Sequence, residues 1–181
     1  MKYYLDTEFI ESPCTIDLIS IAIVREDGRY LYAENSQCDF SKANDFVKQH
    51  VLPQLIMRRG IAHAEKMPGN SLRILAPPGA IKSVILEFIG DNKPEFWGYY
   101  ADYDWVAFCW LFGAMVDLPR GWPMYCRDLK QLADQMGVTS EECPVVQGDE
   151  HNALSDARWN LEFYKYLVEK QRRQPARLLD G

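Results

Sequence analysis

Apolar and polar positions alternate early in the chain and then take up a helical spacing. Tyr3-Tyr4-Leu5 predicts a first strand from Lys2 to Asp6. Thr15 to Arg25 is rich in β-branched residues and predicts a long central strand. Glu26-Asp27-Gly28 follows as a hairpin signal, because an Asp-Gly pair tolerates the positive φ of a tight turn. Arg29 to Glu34 then returns as a third strand, which makes an antiparallel meander.

After the meander the period lengthens. Phe46, Val47, Val51, Leu52 and Leu55 form a helical stripe over Asp45 to Leu55, with Pro53 near its end. Met57 to Pro78, broken by Gly60, Pro68, Gly69, Pro77 and Pro78, is too long for a plain loop and predicts a short helix, a substrate flap or a subunit contact. Helices are predicted over Gly79 to Ile89, Asp104 to Phe112, Asp128 to Met136 and His151 to Lys170. Strands are predicted at Pro94 to Tyr100 and at Tyr125-Cys126, and a loop over Thr139 to Glu150. A strand triplet followed by alternating helix and strand implies a mixed α/β sheet. One domain over residues 1–171 with a mobile tail, 172–181, accounts for the whole pattern.

Composition narrows the function classes. The chain has 181 residues, 48% hydrophobic and 25% charged, as in ordinary globular proteins. A net charge of −6 supplies no global positive field, which counts against a simple nucleic-acid-binding module. It leaves room for an enzyme whose carboxylates are neutralised by divalent cations. Cys14, Cys38, Cys109, Cys126 and Cys143 are scattered without zinc-like spacing, as expected of reduced thiols in a cytoplasm. Asp6 and Glu8 interrupt any apolar region before it reaches signal-peptide length, and no run approaches a membrane span.

Asp6 and Glu8, two residues apart on a strand, leave on the same face. Like charges that close need solvent or a cation. Asp104 stands just after an aromatic strand, where a helix should start, and Asp156 lies in the early turns of the last helix, where the macrodipole favours negative charge. His151, five residues earlier, can lean over the same site. Four carboxylates suit Mg²⁺ or Mn²⁺ rather than zinc. Two such ions about 3.5–4 Å apart are a standard device for in-line displacement at phosphorus, and a histidine near neutrality can take the proton from water.

These motifs resemble those of the DEDDh 3′–5′ exonucleases, the RNase T and oligoribonuclease superfamily. Asp6-Thr7-Glu8 matches the first motif, Asp104 within Ala101-Asp102-Tyr103-Asp104 the second acid, and His151-x4-Asp156 the third. Tyr-Leu-Asp-Thr-Glu-Phe-Ile-Glu followed by Thr-Ile-Asp-Leu-Ile-Ser-Ile is most similar to a small bacterial exoribonuclease subgroup described in mycobacteria. The resemblance covers about residues 2 to 168. It implies an RNase H-like mixed five-stranded sheet, order 3-2-1-4-5, flanked by helices. It also implies that Asp6, Glu8 and Asp156 ligate one metal, that Asp6 bridges to a second supported by Asp104, and that His151 is the general base. Tyr99-Tyr100 stands where many relatives carry His-Asn, and Phe9-Ile10 where many carry Thr-Thr or Thr-Gly.

The implied activity is two-metal hydrolysis of terminal phosphodiesters, releasing nucleoside 5′-monophosphates from the 3′ end of single-stranded RNA, in a homodimer. The alternatives are a 3′–5′ exodeoxyribonuclease, a phosphoesterase for small nucleotides, or an inactive RNase H-like binding module. Thr7, Phe9, Ile10 and Tyr103 are the expected substrate contacts, since aromatic faces hold single-stranded bases without reading sequence. Trp97, Tyr99, Tyr100 and Trp105 divide between core and cleft. Arg58, Arg59, Lys66 and Arg73 are candidate phosphate contacts, Arg158 lies near the site, and Asp17 belongs either beneath the site or at a sheet edge. His50 and His63 receive no role.

Overall fold

The computed structural model describes residues 1–56, 63–145 and 151–173. Its strands are β1 (Lys2–Ser12), β2 (Thr15–Arg25), β3 (Tyr30–Asn35), β4 (Ala64–Met67), β5 (Ser71–Ala76), β6 (Glu95–Gly98) and β7 (Arg127–Asp128). The helices are α1 (Pro78–Ile89), α2 (Asp102–Trp110), α3 (Leu129–Gln135) and α4 (Ala153–Arg173). One mixed sheet runs β4-β5-β3-β2-β1-β6-β7. Among the described residues it has seven strands where five were expected. The difference lies mainly in residues 64–76, which form an antiparallel hairpin rather than a loop, with β5 adding parallel to β3.

The first strand is also longer than its apolar run. β1 continues to Ser12 and turns through Pro13-Cys14 into β2, with Cys14 at φ 66°. Asp6-Thr7-Glu8 therefore sits in the middle of a strand, not at its end. The register slips beside it: Glu8 faces Ser20, whereas Phe9 faces Leu18, so Ile19 is the extra residue of a β-bulge. Bulges bend a strand and re-aim the side chains that follow.

Two apolar layers cover the sheet. On one side Tyr3, Leu5, Ile21, Ile23 and Leu31 pack with Ile81, Ile85 and Ile89 of α1 and with Trp105 and Phe108 of α2. Tyr4, Ala22, Val24 and Tyr32 on the other side pack with Leu129 of α3 and Leu154, Ala157, Leu161 and Leu167 of α4. A smaller cluster closes the far end of the β1–β2 hairpin, where Ile10 and Ile19 meet Ala43, Val47, Val51 and Leu55. Residues 47–54 there are not the predicted α-helix. Val47–Val51 form a π turn and Leu52–Gln54 a 3-10 turn, at Pro53.

β6 pairs with β1 only as far as Tyr4 opposite Trp97, and it stops at Gly98. A Cβ at Gly98 would meet the Ala101 Cβ at 2.7 Å and the Leu5 carbonyl oxygen at 3.3 Å, so only glycine lets the chain leave the sheet here. Beyond that point the β6-facing edge of β1 is open, and the acids lie along that stretch. The expected helix start at Asp104 moves back to Asp102, and the last helix starts at Ala153, leaving His151 outside it. Arg172 and Arg173 belong to α4 rather than to a tail, and residues 174–181 lie outside the described residues.

Candidate active site

Where β6 departs, side chains from two helices take over the backbone groups of β1. Asn160 of α4, buried, donates its Nδ2 to the Leu5 carbonyl at 3.0 Å. Asp104 of α2, 7% exposed, accepts on Oδ1 from the Thr7 backbone N–H at 2.9 Å and from the Thr7 hydroxyl at 2.5 Å. Neither donor nor acceptor can be left unmatched in a buried strand, so these bonds fix both helices against the motif. They also clamp Asp6 between two anchored neighbours.

Alternation along β1 turns Asp6 and Glu8 to the same side. Asp156, in the first turn of α4, meets them there, and single ligand atoms of Asp6, Glu8 and Asp156 lie within 4.8 Å of one another. Like charges this close favour the protonated form. Burial, then repulsion from Asp104, Asp156 and Glu8, pushes Asp6 well above the ordinary carboxylate range. Burial, then Asp156 and Asp104, raises Glu8 to about 8. Burial raises Asp104 to about 6 against the opposing pull of its two Thr7 hydrogen bonds. Such a cluster fits hard divalent cations, which replace the protons and cancel the repulsion. Asp104, already engaged by Thr7, stands beside the three-acid cluster rather than within it. Asp102 on the same helix is exposed, which separates the two acids of that motif.

His151 precedes α4 with φ 62°, an uncommon conformation for a non-glycine residue. Its ring packs edge-on to Phe46 at 4.9 Å and lies 5.9 Å from the ring of His50. The following residue, Asn152, caps α4 through Oδ1, which accepts from the Leu154 and Ser155 backbone N–H groups.

Two expected substrate contacts are otherwise employed. Thr7 is buried and spends its hydroxyl on Asp104. Ile10 is 2% exposed and belongs to the small apolar cluster, where Val47, Val51 and Leu55 cover it. Phe9 and Tyr103 do meet, as an edge-to-face pair with centroids 5.8 Å apart. With Tyr100, Asp102 and Asp104 they line a cavity of about 350 Å³. Trp97 and Trp105 are core residues, and Tyr99 packs on Trp159, whereas Tyr100 is exposed. Arg158 lies over the Tyr30 ring, 4.7 Å from its centroid, and Asp17 pairs with Lys42 at the surface. Lys66 and Arg73 face each other's strands in the β4–β5 hairpin; Arg58 and Arg59 lie outside the described residues.

The model of the Rv2179c-like 3′-5′ exoribonuclease domain matches residues 1–168. The chain belongs to that family. It is 36% identical over 171 residues to the 3′-5′ exoribonuclease Rv2179c of Mycobacterium tuberculosis strain H37Rv, covering 93% of this chain and 94% of the relative. The fold is shared with more distant solved structures. The catalytic unit of Neurospora crassa Pan2, protease and nuclease domain, aligns over 94% of this chain and 27% of its own with TM-score 0.50 and 17% identity. Cell-death related nuclease 4 (CRN-4) aligns over 99% of this chain and 72% of its own, also at TM-score 0.50, with 11% identity.

Four residues given no site role from the sequence stand against site residues or their supports: Asn160 on Leu5, Asn152 at the start of α4, and Phe46 and His50 beside the His151 ring. For Asn160 a signal existed, since it follows Asp156 by four positions and so shares its helix face. Phe46 was assigned to the apolar stripe of a helix, but it stands just before the π turn and is exposed.

Proposed function

We propose that this 3′–5′ exoribonuclease removes nucleoside 5′-monophosphates one at a time from the 3′ end of single-stranded RNA, with two divalent cations at the Asp6, Glu8, Asp156 and Asp104 carboxylates. The convergence of Asp6, Glu8 and Asp156 ligand atoms within 4.8 Å carries the reading. In it, Asp6, Glu8 and Asp156 would hold one cation, and Asp6 with Asp104, which Thr7 orients, would hold the second. Bound cations lower the pKa of water and offset charge gathering on the phosphoryl oxygens. His151 accepts the proton of the attacking water, and its place outside α4 leaves the ring on a short connection rather than on a rigid helix. Phe9 and Tyr103 offer ring faces to the terminal base at the mouth of the cavity beside Asp104, a sequence-tolerant mode of holding.

A chain of net charge −6 has no diffuse attraction for RNA, so cations at the acid cluster are the natural anchor for its backbone. Among the described residues no helix is long and apolar enough to cross a membrane. The scattered thiols support a cytoplasmic location, and family resemblance supports a homodimer, which sizing chromatography coupled to light scattering measures directly.

The test supplies 5′-labelled single-stranded RNA and DNA with Mg²⁺ or Mn²⁺, and repeats both with chelator. A ladder shortening from the 3′ end of RNA, abolished by chelator, is the expected result. Faster shortening of DNA reassigns the substrate. Turnover of small nucleotides with both polymers intact reassigns the chemistry to a phosphoesterase.

A further inference from the structure

The reading of His151 as the proton acceptor leaves open what holds its ring. The residue adopts φ 62° without being glycine, a conformation that persists only where the surroundings over-determine it. One restraint is Asn152, whose Oδ1 caps α4 and whose Nδ2 donates to the Gln54 carbonyl at 2.9 Å. That bond ties the start of α4 to the end of the segment carrying Phe46 and His50. The segment is itself anchored: Val47 and Val51 are buried against Ile10 and Ile19 of the β1–β2 hairpin, and Asn44 Oδ1 accepts from the Val47 N–H at 2.8 Å.

On the outer side of the same turn stand Phe46 and His50. Phe46 is 51% exposed, an unusual place for a phenylalanine with no core to fill. Its ring lies 4.9 Å from His50 and 4.9 Å from His151, the latter edge-to-face at 80°, and the two imidazoles are 5.9 Å apart. These separations fall in the range where aromatic pairs hold a defined geometry. π turns in helical segments also occur frequently at functional sites. Three rings from two separate segments thus form a triangle with the proposed proton acceptor at one corner.

We propose that Phe46 and His50 are positioning residues that seat the His151 imidazole for proton transfer, acting through that ring and not on RNA. The proposal rests on the assignment of His151 as proton acceptor. Misplacing a reacting group by about 1 Å can cost on the order of 10²-fold in rate. Accordingly, Phe46→Leu, which keeps an apolar side chain but no ring, should lower kcat by about 10-fold or more with KM changed less than about twofold. Phe46→Tyr restores the ring edge and should return kcat to within about twofold of the wild type. His50→Phe should retain more kcat than His50→Ala, because the contact needs a ring and not a proton. In the wild-type protein, NMR should show ring-to-ring NOEs between His151 and Phe46, and these should be lost in Phe46→Leu while the Val47 and Val51 methyl shifts stay in place.

Wild-type kcat in Phe46→Leu, together with a strong loss in His151→Ala, overturns the positioning role and leaves the general-base assignment intact. A Phe46→Leu loss that falls on KM instead makes Phe46 a substrate contact and also overturns it. Full activity in His151→Ala removes the general base and the positioning role with it. Absence of the His151–Phe46 NOEs from the folded wild type refutes the ring contact itself.

Discussion

The two faces of β1 are built from the same strand and reach opposite outcomes. On one face Tyr3 and Leu5 pack into an apolar layer with Phe96 and Phe108. On the other face Tyr4 starts the same way, packing on Tyr164 of α4, and then Asp6 and Glu8 replace what a stable core would want. Both faces carry apolar cores, but on the second the repulsion among buried acids opposes that packing. A single strand can carry both because β6 ends beside the acids, and Asn160 and Asp104 supply the hydrogen bonds that a full-length neighbour would have made.

The contrast breaks most sharply at Asp6. Asp6→Asn keeps the shape and removes the charge, and initial rates on labelled RNA should fall by about 10³-fold or more. His151→Ala removes a proton acceptor and no cation ligand. It should lower kcat by about 10²- to 10⁴-fold while calorimetric Mn²⁺ titration stays close to wild type; loss of cation binding instead would make His151 a ligand. On the apolar face, Phe108→Ala should cost about 3–5 kcal/mol in denaturant unfolding, since Phe108 is fully buried and its ring contacts Phe96 and Trp105. An equal loss from a substitution at Glu8 would erase the distinction between the faces. Asn160→Ala leaves the buried Leu5 carbonyl without its partner and should cost about 1–3 kcal/mol, read the same way.

The N-terminal triplet and the order of acidic motifs were readable because their signals are local. β-branched runs, an Asp-Gly turn and two acids at i and i+2 all act within a few residues. What was missed depends on partners far along the chain or on turns with unusual residues. β1 looked short because its hairpin turns on Pro13-Cys14, where a cysteine rather than a glycine carries the positive φ. The β4–β5 hairpin sits at the sheet edge, where half-exposed side chains leave little apolar alternation to read. Ile10 was misplaced because the residues that cover it, Val47, Val51 and Leu55, lie far along the chain. Asp104 was found by motif, but its commitment to Thr7, 97 residues away, is a tertiary fact with no local trace.

Thermal melting of the wild type and Asp6→Asn tests directly whether the acid cluster opposes folding and cations relieve it. Acids raised from ordinary values of 3.8 and 4.5 bind more protons folded than unfolded, so their contribution is full at low pH. It is lost as pH rises through about 6 for Asp104 and about 8 for Glu8. In chelator, the wild type should therefore lose melting temperature from pH 5 to 8.5. Asp6→Asn should lose less and melt about 5 °C higher at the alkaline end. Adding Mg²⁺ should stabilise the wild type and leave Asp6→Asn nearly unmoved. An Asp6→Asn protein that melts below the wild type in chelator, and gains as much from Mg²⁺, would contradict the account.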